Sequence, residues 1–158
     1  MFRKMRRFKQ EITKDECVEI LINEKRGVLS VIGDDGYPYG IPLNHYYDKE
    51  KNSIYFHGAK EGHKIDAIKR NNKVSYCVYE KGKPKEGHWS LNVRSVIAFG
   101  RASFVTDLEE CKRIGSEIWW KFNTNKEELE EELNNSLSRV LCIRIDIEHM
   151  TGKLVNES

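Results

Sequence analysis

Residues 57–70, reading HGAKEGHKIDAIKR, are the part of the chain whose side chains and spacing could do chemistry. They follow Ser53-Ile54-Tyr55-Phe56, an apolar and aromatic run suited to a strand, and open a helix-patterned run near Gly62. A strand, a glycine-bearing turn and a helix start suit an anion, because the first backbone NH groups of a helix have no partner within it and carry the positive end of its dipole. Gly58 and Gly62 allow close backbone approach, and Lys60, His63 and Lys64 bring donors to the same end. The dipole is worth about 0.3 to 2 kcal/mol to an anion, whereas one lysine at contact distance contributes about 4 kcal/mol in a partly shielded site. Lys64 therefore matters more than the dipole, provided that it points inward. The same residues could also form the solvated face of a surface helix, with Lys60, Lys64, Lys69 and Arg70 outside and Ile65 and Ile68 beneath. Spacing alone leaves both readings open.

The elements that must position this stretch read as follows. Thr13-Lys14-Asp15-Glu16 matches a capping box, so a helix should run to about Lys25, with Gly27 as its stop. Residues 28–32 form a branched apolar strand, and Gly33-Asp34-Asp35-Gly36 supplies the turn of a hairpin. The returning strand, from Tyr37 to Tyr46, carries Pro38 and Pro42, which cannot donate to a central ladder. It should therefore have an edge or a bulge near Pro42, where backbone groups are free to meet something other than a neighbouring strand. Residues 73–80 alternate as a strand, residues 81–88 make an exposed loop, and residues 93–105 make a long strand. Asp107 can cap a helix whose apolar stripe is Leu108, Cys111, Ile114, Ile118 and Trp119. Trp120 lies about 100° away from Trp119, so both indoles cannot face one core. An acidic helix over residues 127–135 and a strand over residues 138–150 complete the pattern. The class expected is mainly β with peripheral helices, a six-stranded antiparallel barrel. No GxGxxG follows the first strand, which weakens a dinucleotide-binding Rossmann reading.

At 158 residues one domain is expected, with residues 1–12 as a basic arm and residues 153–158 as a polar tail. The hydrophobic share is 39% and the charged share 33%, against roughly 45 to 50% and 25% in typical domains. No apolar run approaches the roughly 20 residues of a membrane span, and the N-terminus lacks the apolar core of a signal peptide. These features point to a cytoplasmic protein without a membrane partner. The net charge of +2 is too small to imply nucleic acid. Cys17, Cys77, Cys111 and Cys142 lie far apart within apolar patterns, and the histidines form no HExxH or HxH arrangement, so free buried thiols and no metal site are expected.

Several motifs in order carry a resemblance: Met1-Phe2-Arg3-Lys4-Met5-Arg6-Arg7, then Tyr37-Pro38-Tyr39 with Ile41-Pro42-Leu43, then Tyr55-Phe56-His57-Gly58-Ala59. Gly62-His63-Lys64-Ile65-Asp66 and Ser95-Val96-Ile97-Ala98-Phe99-Gly100-Arg101 follow. Together they resemble the pyridoxamine 5'-phosphate oxidase-like flavoproteins, specifically the nitroimidazole-resistance branch, from the first residue to about Gly152. The resemblance implies a split β-barrel that binds FMN and works as a homodimer, with the flavins at the subunit interface. It implies that Pro42, Leu43 and Asn44 line the isoalloxazine ring and that His57, Gly58 and Ala59 follow the ribityl chain. His63 and Lys64 would hold the phosphate, and Ser95 and Val96 would complete the pocket. The oxidases of the wider family carry a C-terminal extension with arginine and histidine for the substrate's phosphate. This chain ends differently, which argues against pyridoxamine phosphate as its substrate.

The function expected is an FMN-dependent oxidoreductase that reduces a small-molecule substrate, a nitroimidazole or another nitroaromatic compound being the acceptor the resemblance suggests. The flavin supplies the redox chemistry. His45 and His57 are the candidate proton donors, since histidine titrates near neutral pH. For His45, packing among Tyr37, Tyr39 and Tyr47 is the simpler reading, and for His57 a cofactor contact is favoured over proton transfer. The alternative is a flavin- or haem-binding protein without such turnover.

Overall fold

A computed structural model of the chain describes residues 1–157, and the backbone follows the alternation of the sequence. Its strands are β1 (Glu11–Ile12), β2 (Arg26–Ile32), β3 (Pro38–Asn44), β4 (Tyr46–Asp48), β5 (Ser53–Ala59), β6 (Lys73–Tyr79), β7 (Lys83–Pro84), β8 (Leu91–Val105) and β9 (Val140–Glu157). The helices are α1 (Lys14–Asn23), α2 (His63–Arg70), α3 (Leu108–Trp120) and α4 (Lys126–Ser136). The strands make one antiparallel sheet in the order β3-β2-β6-β8-β9-β5-β4, with β1 paired to β9 and β7 to β8. Six of them, β2, β3, β5, β6, β8 and β9, have seven residues or more. They are the six strands that the alternating segments and the short branched or aromatic runs predict. The sheet curls until β3 approaches β5, giving a split barrel of mainly β class with peripheral helices.

The alternation buries one face inside the curl, where Leu29, Val31, Ile54, Phe56, Tyr76, Ala98 and Ile145 pack together. α1 closes this core from the side of β8 and β9 with Cys17, Ile20 and Leu21, and α2 adds Ile65, Ala67 and Ile68. A second cluster lies on the opposite face, where Tyr55 and Cys142 meet Ile114 and Ile118 of α3. β5 is thus covered on both faces, which is why residues 53–56 read as unbroken burial.

Local signals set the helix ends. Thr13 accepts from the Glu16 amide at 3.2 Å while Glu16 accepts from the Thr13 amide at 2.8 Å, so the capping box forms. Asp107 accepts from the Glu110 amide at 2.8 Å. Gly27, expected to stop α1, instead lies inside β2 opposite Leu43. A Cβ there would meet the Cys77 carbonyl, the Tyr76 ring and Val78, so the glycine serves strand contact. The last strand also exceeds its expected end, because residues 153–157 stay paired with β8. The basic arm is held too. The Phe2 ring stacks on His149 with centroids 4.7 Å apart and lies 5.5 Å from Phe99. Among the described residues no helix is long and apolar enough to cross a membrane.

Candidate functional site

The strand that ends in His57, Gly58 and Ala59 runs further than the apolar run 53–56, so the turn before α2 is only residues 60–62. Gly62 has φ of 126°, a conformation that side chains disfavour, and its carbonyl accepts from the Ile65 and Asp66 amides at 3.0 and 3.1 Å. The amides of His63 and Lys64 have no partner among the described residues, as expected for a first helical turn. Ile65 and Ile68 anchor the helix on the core, and this leaves Lys64 at the edge.

Lys64 points inward. A Cβ on Gly58 would lie 3.0 Å from its Nζ, so the lysine crosses the floor that the missing side chain leaves open. Partial burial lowers its pKa, and its charge is close enough to His57 to act on that ring. The donor set therefore fits a phosphate: one ammonium and two helix-terminal amides over a backbone without side chain. His63 is placed differently from the expectation. Its ring stacks on Tyr39 at 4.1 Å, and Nε2 accepts from the Asp34 amide at 3.3 Å. Arg70 reaches the same aspartate at 2.7 Å. His63 therefore ties α2 to the β2–β3 turn, and only its Nδ1 remains to meet an anion.

Beside this end of α2 lies the free edge of the sheet, β3. Pro42, Leu43 and Asn44 join Arg26 and His57 around a cavity of about 360 Å³. Arg26 Nε donates to Asn44 Oδ1 at 3.0 Å, which fixes the amide at the rim. The structure thus brings together Pro42, Leu43, Asn44, His57, Gly58, Ala59 and Lys64. Arg26 is a member that sequence reasoning missed. Its signal was available only through the pairing of Arg26 with Asn44 across the hairpin. Burial, then the Lys64 charge, lowers the pKa of His57, while Glu132 acts in the opposite sense. The shift favours the neutral imidazole, which can accept or donate a hydrogen bond.

Three expected members stand elsewhere. His45 is fully buried, and desolvation, helped by the Lys121 charge, pushes its pKa down to about 3. Its Nε2 donates to the Leu21 carbonyl at 2.7 Å, and the Tyr76 hydroxyl lies 2.8 Å from Nδ1. With both ring nitrogens taken, His45 is a core histidine and not a proton donor to a substrate. Val96 is 1% exposed inside the barrel, so it cannot touch a cofactor. Its neighbour Ser95 pairs with Tyr79 and Lys153 on strands removed from β3 and β5, so within one chain it does not join the cavity.

A second cavity, of about 280 Å³, opens on the other side of His57 and Asn44, under α3 and α4. Trp119 lines it, whereas Trp120 is turned outward, 45% exposed. The two indoles therefore part as the helical spacing requires.

Comparison with known proteins places this geometry. The chain superposes on a candidate 5-nitroimidazole antibiotic resistance protein from Bacteroides thetaiotaomicron with a TM-score of 0.78, at 22% identity over 93% of this chain and 87% of that one. A conserved hypothetical protein from Mycobacterium tuberculosis gives 0.80 at 17% identity, over 95% and 90%. An FAD-binding protein from Mesorhizobium loti gives 0.68 at 24% identity, over 92% and 97%. These similarities establish the shared fold. No curated protein matches the sequence. The family model described as pyridoxamine 5'-phosphate oxidase matches residues 13–154, from the N-cap of α1 into the paired end of β9, and the chain therefore belongs to that family of flavin-associated proteins.

Proposed function

We propose that this protein is an FMN-dependent oxidoreductase that reduces a small acceptor, of which a nitroimidazole or another nitroaromatic compound is the leading class. The observation that carries the reading is Lys64, laid over Gly58 beside two unpartnered amides and next to the cavity along β3. FMN has a phosphate for the first feature and a flat ring for the second. FAD would place a diphosphate at the same donors, so the choice of FMN rests on the resemblance described above. The bound flavin would supply the electron transfer. Lys64 and the His63 and Lys64 amides would hold the phosphate. Asn44, fixed by Arg26, would orient the ring edge, and Pro42 and Leu43 would keep water from one side. His57, neutral between the two cavities, would contact the cofactor through a hydrogen bond.

A homodimer is part of this reading. Tyr79, Ile97 and Phe99 are exposed on the outer face of β6 and β8, an apolar patch suited to a second copy. A partner is also what would bring Ser95 to a flavin.

The test begins with the visible spectrum of the purified protein, in which flavin bands are expected. Heat release and chromatography of the pigment then separate FMN from FAD. Turnover of a 5-nitroimidazole with a reduced nicotinamide completes the reading, and a colourless preparation that takes up no added FMN would defeat it. Flavin binding without turnover is favoured by one observation: neither His45 nor His57 is held protonated near neutral pH. A bound flavin that no reduced nicotinamide bleaches would select it.

A further inference from the structure

The cavity under α3 and α4 has no part in holding a flavin phosphate, yet it is built. Its walls are apolar, led by Ile118, Trp119, Phe122, Leu133 and Val140, and it shares Asn44 and His57 with the cavity along β3. The volume of about 280 Å³ compares with the roughly 150 Å³ of an apolar cavity that holds benzene. One or two aromatic rings would fill it.

Three observations define the occupant. Among the described residues no lysine or arginine lines the cavity, and its one carboxylate is Glu132, whose charge reaches His57. Within the wall an anion would find no counter-charge and would meet Glu132, Lys64 reaching only the His57 end, whereas a neutral molecule meets no such cost. The Trp119 Nε1 is itself sealed from solvent without a partner, so the indole presents its apolar ring to the cavity and no donor. Gly115 sits inside α3, where glycine costs about 1 kcal/mol relative to alanine. A Cβ there would approach Leu133 of α4 to 3.3 Å, and a longer side chain would extend into the space between the helices.

We propose that this cavity binds an uncharged aromatic molecule of one or two rings, with its inner end at His57. The assignment rests on the flavin reading for the purpose of binding: a molecule seated there would be the acceptor waiting beside the ring cavity. The binding itself depends on the walls that α3, α4, β5 and β9 supply, with Asn44 of β3 at the rim.

Calorimetric titration of the full chain with 4-nitrobenzyl alcohol and with 4-nitrobenzoate tests it. Saturable binding of the alcohol at one site per chain is expected, at least ten-fold tighter than the benzoate. Gly115→Leu and Leu133→Trp fill the cavity from opposite walls. Each should weaken the alcohol at least ten-fold while flavin per chain stays at the wild-type value. Equal affinity for the two compounds in the wild type would overturn the proposal, as would undiminished alcohol binding in a folded filling variant. Flavin measured on the same samples separates the two readings. Alcohol binding by flavin-free protein keeps the cavity and removes the flavin assignment, whereas flavin-loaded protein that binds no alcohol removes the cavity assignment alone.

Discussion

Lys64 and His45 show how burial gives two ionisable side chains opposite uses. Lys64 is half-buried over Gly58 with no carboxylate hydrogen-bonded to it among the described residues, so its charge remains for a ligand. Charged hydrogen bonds are worth about 1.5 to 3 kcal/mol, so Lys64→Ala should weaken flavin binding about ten- to hundred-fold. Flavin retained after gel filtration checks this. A variant as yellow as wild type would show that the phosphate is held elsewhere. His45 is instead sealed and neutral. Its folded pKa of about 3 lies below the ordinary 6.5, so between these values the unfolded chain binds a proton that the native chain refuses. Stability from this group is full above pH 6.5 and falls as the pH drops toward 3, by up to about 1.4 kcal/mol per pH unit. Urea melts of wild type and His45→Gln across that range should diverge in slope, and parallel profiles would contradict the neutral core histidine.

The corners between elements depend on a few contacts that cannot be exchanged. Lys121, just past α3, donates to the Glu24 carbonyl at 2.8 Å and the His45 carbonyl at 2.9 Å, joining α3 to the end of α1 and the β3–β4 bend. Burial pushes its pKa down to about 8, and it remains the donor for two backbone oxygens. Lys121→Met should therefore cost about 1 to 3 kcal/mol, since both carbonyls lose their partner. Thermal denaturation would register this as a lowered midpoint. β2 has an equally strict requirement at Gly27. Gly27→Ala places a methyl group against the Cys77 carbonyl and the Tyr76 ring, and overpacking of this kind costs about 1 to 3 kcal/mol. If Gly27→Ala melts with the wild type, the strand must be less tightly opposed than described.

On the scale of the whole molecule, the curl of the sheet creates two different surfaces from one alternation. The inner face is the core, and the outer face leaves Tyr79, Ile97 and Phe99 exposed, with Phe2 folded back on Phe99. If that face joins two copies, Ile97→Lys should shift the protein from dimer to monomer in sedimentation velocity and reduce flavin retention with it. A wild-type monomer that binds flavin fully would separate the two properties.

Much of this was legible in the residues because it depends on local chemistry. Period-two alternation, with the branched and aromatic apolar runs of residues 28–32 and 53–56, marked the six long strands, Thr13 with Glu16 and Asp107 marked two helix starts, and the prolines of residues 38 and 42 marked an edge or a bulge, of which β3 is the edge. The strand, turn and helix around Gly62 were likewise legible, and spacing alone left an anion site and a solvated surface helix both open until the inward course of Lys64 was seen. Tertiary packing decided what alternation could not. His45 and His57 have the same titrating ring, and only the closing of α1 and β6 over the first made it a core residue while the second stayed at a cavity mouth. Val96 falls on the inward face of β8, whereas Arg26 becomes part of the site by register with Asn44 across a hairpin. The cavity beneath α3 and α4 likewise exists only because two helices far along the chain settle on β5 and β9 without filling the space between them. Side-chain type sets which chemistry is possible, and burial, a property of the assembled chain, selects the residues that can use it.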